Sequence, residues 1–378
     1  MTYRIIEYKE LYVRVKLSVS GHTGGGEYHA VAENLNPLLD AGAQYRNVAA
    51  ALDALQGVLP EGATPVLRRY FASDAVNQAL LLPEGGDMAV SVVQQPPLNG
   101  SKVSVWAYWV SDCRTSHKGG TFIMERPGYR HFFNMQLHSD KNPSEEAQTM
   151  DVFQDYCKEL ALHNLSLGDN VIRTWIYVQG VDTRYAGMVE ARRRHFIEEG
   201  LTEDTHYIAS TGIEGRYIHP STLVFMDAYA IGGITAEQVT YLKGSTHLSP
   251  TSEYGVTFER ATAVDYGDRR HVFVSGTASI DNRGLIVHPL DIIRQTKRTE
   301  ENIAVLLAEG GCTAADIAQM TVYLRDTADY GIVSAYIAER YPAVPVVIVC
   351  APVCRPAWLI EIECIAIKET GNRKFAPF

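Results

Sequence analysis

The feature that most constrains the fold is an order of elements that occurs more than once. In the last third of the chain "HVFVSGTASID" reads as a strand and a turn. "LDIIRQTKRTEENIAVLLAEGG" reads as a helix with Ile292, Ile303, Leu306 and Leu307 as its apolar residues and a glycine stop. "DIAQMTVYLRD" is a strand, "YGIVSAYIAERYP" a helix closed by Pro342, and "VPVVIVCAP" and "AWLIEIECIAI" are two more strands. Strand, helix, strand, helix, strand, strand packs most simply as a sheet with two helices on one face. The middle of the chain repeats the order. There "HFFNMQLHS" is a strand, "EEAQTMDVFQDYCKELALHNL" a helix, "NVIRTWIYVQGVD" a strand and "YAGMVEARRRHFIEEG" a helix. Tyr177 aligns with Tyr323, about 146 residues on, so a whole domain is duplicated rather than a short solenoid repeat. A fainter copy is suggested at the start by "LYVRVKLSVS", "AGAQYRNVAAALDALQGVL" and "TPVLRRYFAS".

The 378 residues suffice for two or three domains, and 46% apolar content supplies their cores. "GGDMAVSVVQQPPLNGSK" and "KGSTHLSPTSEYG" read as linkers, the second giving the sharper boundary. The expected division is residues 1–250, holding one clear copy and a second, degenerate one, and residues 251–378.

The net charge of −10 argues against a nucleic-acid partner. The one dense basic cluster, Arg192-Arg193-Arg194, is flanked by acidic residues and reads as a solvated helix face. Six cysteines without a CxxC pair fit free thiols in a reducing cytoplasm. No run of about 18 apolar residues suggests a membrane span, and "MTYRIIEYKELYVRV" does not read as a signal peptide. "SGHTGGGEYH" lacks the Lys-Ser/Thr of a phosphate loop and reads as a hairpin; His22 and His29 have no third ligand nearby in sequence. Neither a metal nor a cofactor is expected.

The closing strand poses the functional question. Trp358, Ile360, Ile362, Cys364 and Ala366 make one wholly apolar face, while Glu361 and Glu363 share the other with Leu359, Ile365 and Ile367. The apolar face should pack on the helices and the acidic one should line a cleft. A carboxyl in an apolar pocket resists ionisation and can act as a general acid near neutrality. Glu361 is the favoured acid; Glu363, roughly 6.5–7 Å further along the strand, has no assigned role. Arg355, just before the strand, and Arg260 in "TFERA" suit carboxylate binding, since a guanidinium fork grips two oxygens at once. A surface arginine and a solvent-facing glutamate are the plain alternatives.

The C-terminal third resembles the RidA/YjgF family, also called L-PSP endoribonucleases, in "VSGTASID", "RQTKRTEENIAVLLAEGG", "VYLRDTADY" and "IEIECIAI". The resemblance implies an α+β fold of tandem RidA/YjgF-like (chorismate mutase-like) units, each a mixed sheet backed by two helices. It also implies sites in clefts between the subunits of a trimer. Along more of its length the chain resembles the chorismatases. The residues are "YGVTFERA", the turn Ser275 to Ser279, and Cys354, Arg355, Leu359, Glu361 and Glu363. That resemblance implies a hydrolase that removes pyruvate from chorismate or a similar enol ether dicarboxylate. Glu361 would be the catalytic acid. Arg355, Arg260, Cys354, Ser275, Gly276, Thr277 and Tyr254 would bind a small carboxylate substrate, with Cys354 where chorismatases place a product-determining side chain.

The alternatives are a RidA-like enamine or imine deaminase and a non-catalytic small-molecule binder; an endoribonuclease role follows only from an older family label. Simple RidA deaminases place a carboxylate-gripping arginine after the second helix, where this chain has Val346 and Val347. A homotrimer or an internal pseudo-oligomer would supply the second wall of the cleft.

Overall fold

The computed structural model describes residues 1–21, 25–83 and 86–378, with Tyr254 described by its backbone alone. Strands β1 (Thr2–Tyr8), β2 (Val13–Ser20) and β3 (Glu27–Asn34) are followed by helix α1 (Ala41–Gln56), β4 (Ala63–Ala72), β5 (Ala89–Gln94) and β6 (Val103–Ser111). Next come β7 (Arg114–Lys118), β8 (Thr121–Arg126), β9 (Tyr129–His138), α2 (Glu145–Leu162), α3 (Leu167–Asn170) and β10 (Val171–Val178). α4 (Val181–Glu198), β11 (Ala209–Glu214) and β12 (Val224–Gly232) complete the second unit. The third contains β13 (Val239–Leu242), β14 (Ala261–Asp265), β15 (Arg269–Ala278), α5 (Ile292–Glu309), β16 (Ile317–Leu324), α6 (Tyr330–Arg340), β17 (Val346–Cys350) and β18 (Ile360–Glu369).

The three six-stranded sheets share one topology. Their orders are β1-β2-β3-β6-β4-β5, β7-β8-β9-β12-β10-β11 and β13-β14-β15-β18-β16-β17. In each, the two strands at one end, β4 and β5, β10 and β11, or β16 and β17, run parallel, as a crossover connection requires. Each also carries a register shift at the start of its fourth strand, at Pro65/Leu67, Val171/Arg173 and Ile317/Gln319. A bulge recurring at one place marks a shared design. The ladders extend the match of Tyr177 with Tyr323 to Phe71, and make Ser104, Phe225 and Glu361 equivalent. Trp106, Asp227 and Glu363 likewise correspond.

Local sequence explains the helices. The carboxylates of Asp40 and Asp291 and the hydroxyl of Ser144 accept from backbone N–H groups in the first turns of α1, α5 and α2. Among the described residues, α1 is the one α-helix of the first unit. Where the others carry α4 and α6 it has a 3-10 turn, Ala79–Leu81, and Pro83 soon after offers no N–H to extend it. Two linker expectations change. "GGDMAVSVVQQPPLNGSK" contains β5, whose run Ala89–Val93 is apolar enough to join the sheet. β13 pairs with β14, so the third sheet starts upstream of residue 251. Ser20 and Glu27 are paired partners in the hairpin of β2 and β3; His22 lies outside the described residues.

The units close into a cycle. β5 packs on β9, β11 on β15, and β16 on β2 and β3. One apolar cluster draws residues from all three units, while α1 and α2 cover separate cores on their own sheets. Charges also reach the shared interior. Arg69 Nη2 bonds Asp227 at 2.9 Å, Arg173 Nη2 bonds Glu363 at 2.8 Å, and both guanidinium groups lie over the Trp175 ring. Among the described residues, no helix is long and apolar enough to cross a membrane.

Candidate functional site

A small pocket, about 30 Å³ in volume, opens where the second unit meets the third. β18 contributes Glu361, β15 gives Gly276 and Ala278, and the segment before β18 gives Cys354, Arg355 and Trp358. Phe258 and Arg260 precede β14. The opposite wall is the second unit: Tyr185 and Arg192 from α4, Ser210 and Gly212 from β11. Glu361, Arg355 and Arg260, from separate segments, thus face one cavity.

Glu361 is 4% exposed. Burial, and then the charge of Glu363, push its carboxyl up to about 8, against the opposing pull of Arg173 and Arg260. It therefore holds its proton at neutral pH. Its room comes from Gly276. A Cβ there would lie 1.9 Å from Glu361 Oε1 and 2.8 Å from Cδ, so any larger residue evicts the carboxyl. Gly276 sits in the register shift between Val274 and Thr277, and its N–H donates to Thr211 Oγ1 across the unit boundary at 2.8 Å.

Glu363 points to the same side but has a different setting. Its carboxylate accepts from Arg173 Nη2 and Trp175 Nε1, both at 2.8 Å, and from Thr211 Oγ1. All three donors belong to the second unit. Glu363 is thus a buried, charge-compensated anion beside Glu361, a role the strand pattern alone does not show.

The arginines are held differently. Arg260 is 5% exposed; its Nε and Nη2 bond the Ser249 carbonyl, and its guanidinium lies over Phe258. Arg355 is exposed, with its guanidinium 5.2 Å from the Trp358 ring centroid. Arg192 corrects the solvated-face reading of its cluster. Arg193 and Arg194 are on the surface, paired with Glu190 and Glu146. Arg192 is 1% exposed, bonded through Nε to Thr257 Oγ1, and its Nη2 is buried without a hydrogen-bond partner. The signal was in α4: Val181, Tyr185, Met188, Arg192 and His195 recur at helical spacing, which puts Arg192 on the inward stripe.

Cys354 borders the pocket against Tyr185. Burial, and then Glu361, push its thiol up to about 12, which suits a wall side chain rather than a nucleophile. Of the turn 275–277 only Gly276 lines the cavity. Ser275 Oγ donates to the Glu259 carbonyl and accepts from Ser210 N, clasping the two units, and Thr277 Oγ1 donates to the Ser275 carbonyl. Tyr254 ends a 3-10 turn before Gly255; its side chain lies outside the described residues.

A second small cavity, about 40 Å³ in volume, lies in the shared interior, lined by Glu27, His29, Trp106, Tyr108, Trp175 and His271 among others. Its carboxylate is committed. Although burial would raise Glu27, His271, Arg269 and the Tyr108 hydroxyl hold it well below the usual range, so it has no proton to give. The other two strands equivalent to β18 carry Ser104 and Phe225 at the Glu361 position. The acid therefore occurs in one unit of three.

Residues 259–368 match the family described as Endoribonuclease L-PSP. A RutC family protein of Pyrococcus abyssi (strain GE5 / Orsay) is 39% identical over 103 residues, 26% of this chain and 79% of that protein. The chain belongs to this RidA/YjgF superfamily. Its full-length pattern is chorismatase-like: a chorismatase of Streptomyces rapamycinicus is 29% identical over 212 residues, 51% of this chain and 63% of that protein. A chorismatase crystal structure shares the fold at 18% identity, with a TM-score of 0.66, covering 92% of this chain and 99% of the other.

Proposed function

We propose that the protein is a chorismatase-like hydrolase that releases pyruvate from chorismate or a similar cyclic enol ether dicarboxylate. The observation that carries this reading is the protonated Glu361 carboxyl in a cavity that also holds Arg192, Arg260 and Arg355. An enol ether is cleaved by protonating its terminal methylene carbon. Glu361 gives that proton, and the electron pair of the C=C bond forms the new C–H bond. The adjacent carbon becomes an oxocarbenium centre, stabilised by the carboxylate left on Glu361. Water adds to that centre, and a proton returns to Glu361. The resulting hemiketal collapses to pyruvate and the ring alcohol.

A dicarboxylate needs cations at two places. Arg192 and Arg260 offer buried guanidinium groups and Arg355 one at the rim, each suited to bidentate contact. Cys354 and Tyr185 shape the wall between them. The cleft closes within one chain, which supports an internal pseudo-oligomer as the source of the second wall.

The RidA-type deaminase reading is less well supported. β17 carries Val346 and Val347 where that chemistry calls for an arginine, and register places Ser210 and Thr211 at the corresponding points of β11. The test is incubation of the purified protein with chorismate, with pyruvate followed by a coupled assay. Release by the wild type and its loss in Glu361→Gln is the expected pair of results. No pyruvate from the wild type, or undiminished release by the variant, would end the assignment.

A further inference from the structure

The seam where α2 packs on α4 in the second unit carries a cluster that the proposed chemistry does not use. Cys157 of α2, His195 of α4 and Glu199, which caps α4, bring a thiol sulfur, a ring nitrogen and a carboxylate oxygen within 4.8 Å of one another. Cys157 Sγ is 3.4 Å from His195 Nε2. On the far side of the ring, Nδ1 is 3.7 Å from Glu198 Oε2. Cys157 is half-buried, His195 is 3% exposed and Glu199 is on the surface.

We propose that Cys157, His195 and Glu199 bind one borderline-soft divalent cation of the zinc type, joining α2 to α4. Three lines of chemistry converge on it. A thiolate, an imidazole and a carboxylate together are a donor set that zinc accepts and that hard ions such as magnesium and calcium do not favour. Tetrahedral zinc, with bonds of about 2.0–2.3 Å, sets its ligands roughly 3.3–3.8 Å apart. The sulfur–nitrogen pair already has that spacing, and the surface carboxylate of Glu199 can swing in to match it. His195 Nδ1 is buried without a hydrogen-bond partner, and a small rotation of the exposed Glu198 carboxylate from its 3.7 Å distance would give it the outer partner that commonly fixes the tautomer of a metal-bound histidine, leaving Nε2 for the ion. Binding displaces the thiol proton to solvent, and water takes the fourth position.

The consequence is mechanical. His195 lies three residues beyond Arg192, so a bound ion tethers to α2 the end of the helix that forms the pocket wall. The proposal does not depend on which reaction the pocket performs.

Titration of the metal-free, reduced full-length protein with Co²⁺ tests it. The expected result is one ion per chain, a thiolate-to-cobalt charge-transfer band, displacement by Zn²⁺, and loss of the band in Cys157→Ser. Glu199→Gln alters an exposed side chain and should fold normally while weakening Zn²⁺ binding at least about tenfold. Absence of the band in the wild type, its survival in Cys157→Ser, or undiminished Zn²⁺ affinity in Glu199→Gln would each overturn the site.

Discussion

Replacing Glu361 by glutamine should remove turnover and make the protein more stable. The carboxyl ionises near 4.5 in an ordinary setting and is pushed up to about 8 in the folded chain. At pH 7 the unfolded chain is ionised and the folded chain must take up a proton. Each pH unit between 4.5 and 7 weakens folding by about 1.4 kcal/mol, roughly 3 kcal/mol in all. The sign follows from the raised folded value: the stability is fully present below 4.5 and is lost as pH rises through 8. Glutamine has the same shape, is neutral in both states, and carries no such loss. Urea unfolding of both proteins from pH 4.5 to 8.5 provides the assay. The variant should match the wild type at the acid end and exceed it by ~3 kcal/mol at pH 7. A difference that does not change with pH would refute the protonated, buried carboxyl.

Other substitutions probe the surroundings. Gly276→Ala puts a Cβ 1.9 Å from Glu361 Oε1, so kcat should fall about 100-fold as the acid is displaced, with the circular dichroism spectrum unchanged. Arg192→Met removes a charged hydrogen-bond donor worth about 1.5–3 kcal/mol, which should raise KM about 10–100-fold and leave kcat less affected. Arg173→Met strands the buried Glu363 carboxylate and should cost about 3–5 kcal/mol in denaturant unfolding. Replacing the pair together, Arg173→Met with Glu363→Leu, should recover most of that loss.

The fold was legible because each unit carries its own periodicity. The alignment of Tyr177 with Tyr323 needed only two matching strand and helix patterns, and the ladders extend it to Phe71. The first unit was fainter because a 3-10 turn replaces its second helix, and β5 was hidden between glycine and proline signals. In the site, Glu361 stood out as a carboxylate on a strand otherwise rich in apolar residues. Arg192 did not, because adjacent arginines share one string of letters while the helix turns them to opposite environments. Glu363 was unreadable for another reason. Its partners Arg173, Trp175 and Thr211 lie about 150–190 residues earlier in the chain, and only the closed cycle of units brings them together. The same long-range closure supplies the wall opposite Glu361.

The central claim is proton transfer from Glu361 to carbon, and solvent deuterium reports it directly. Chorismate turned over in D₂O and quenched early should yield pyruvate carrying a single deuterium in its methyl group, with no such product from Glu361→Gln. Pyruvate released without deuterium, or labelled equally by the variant, would contradict the account.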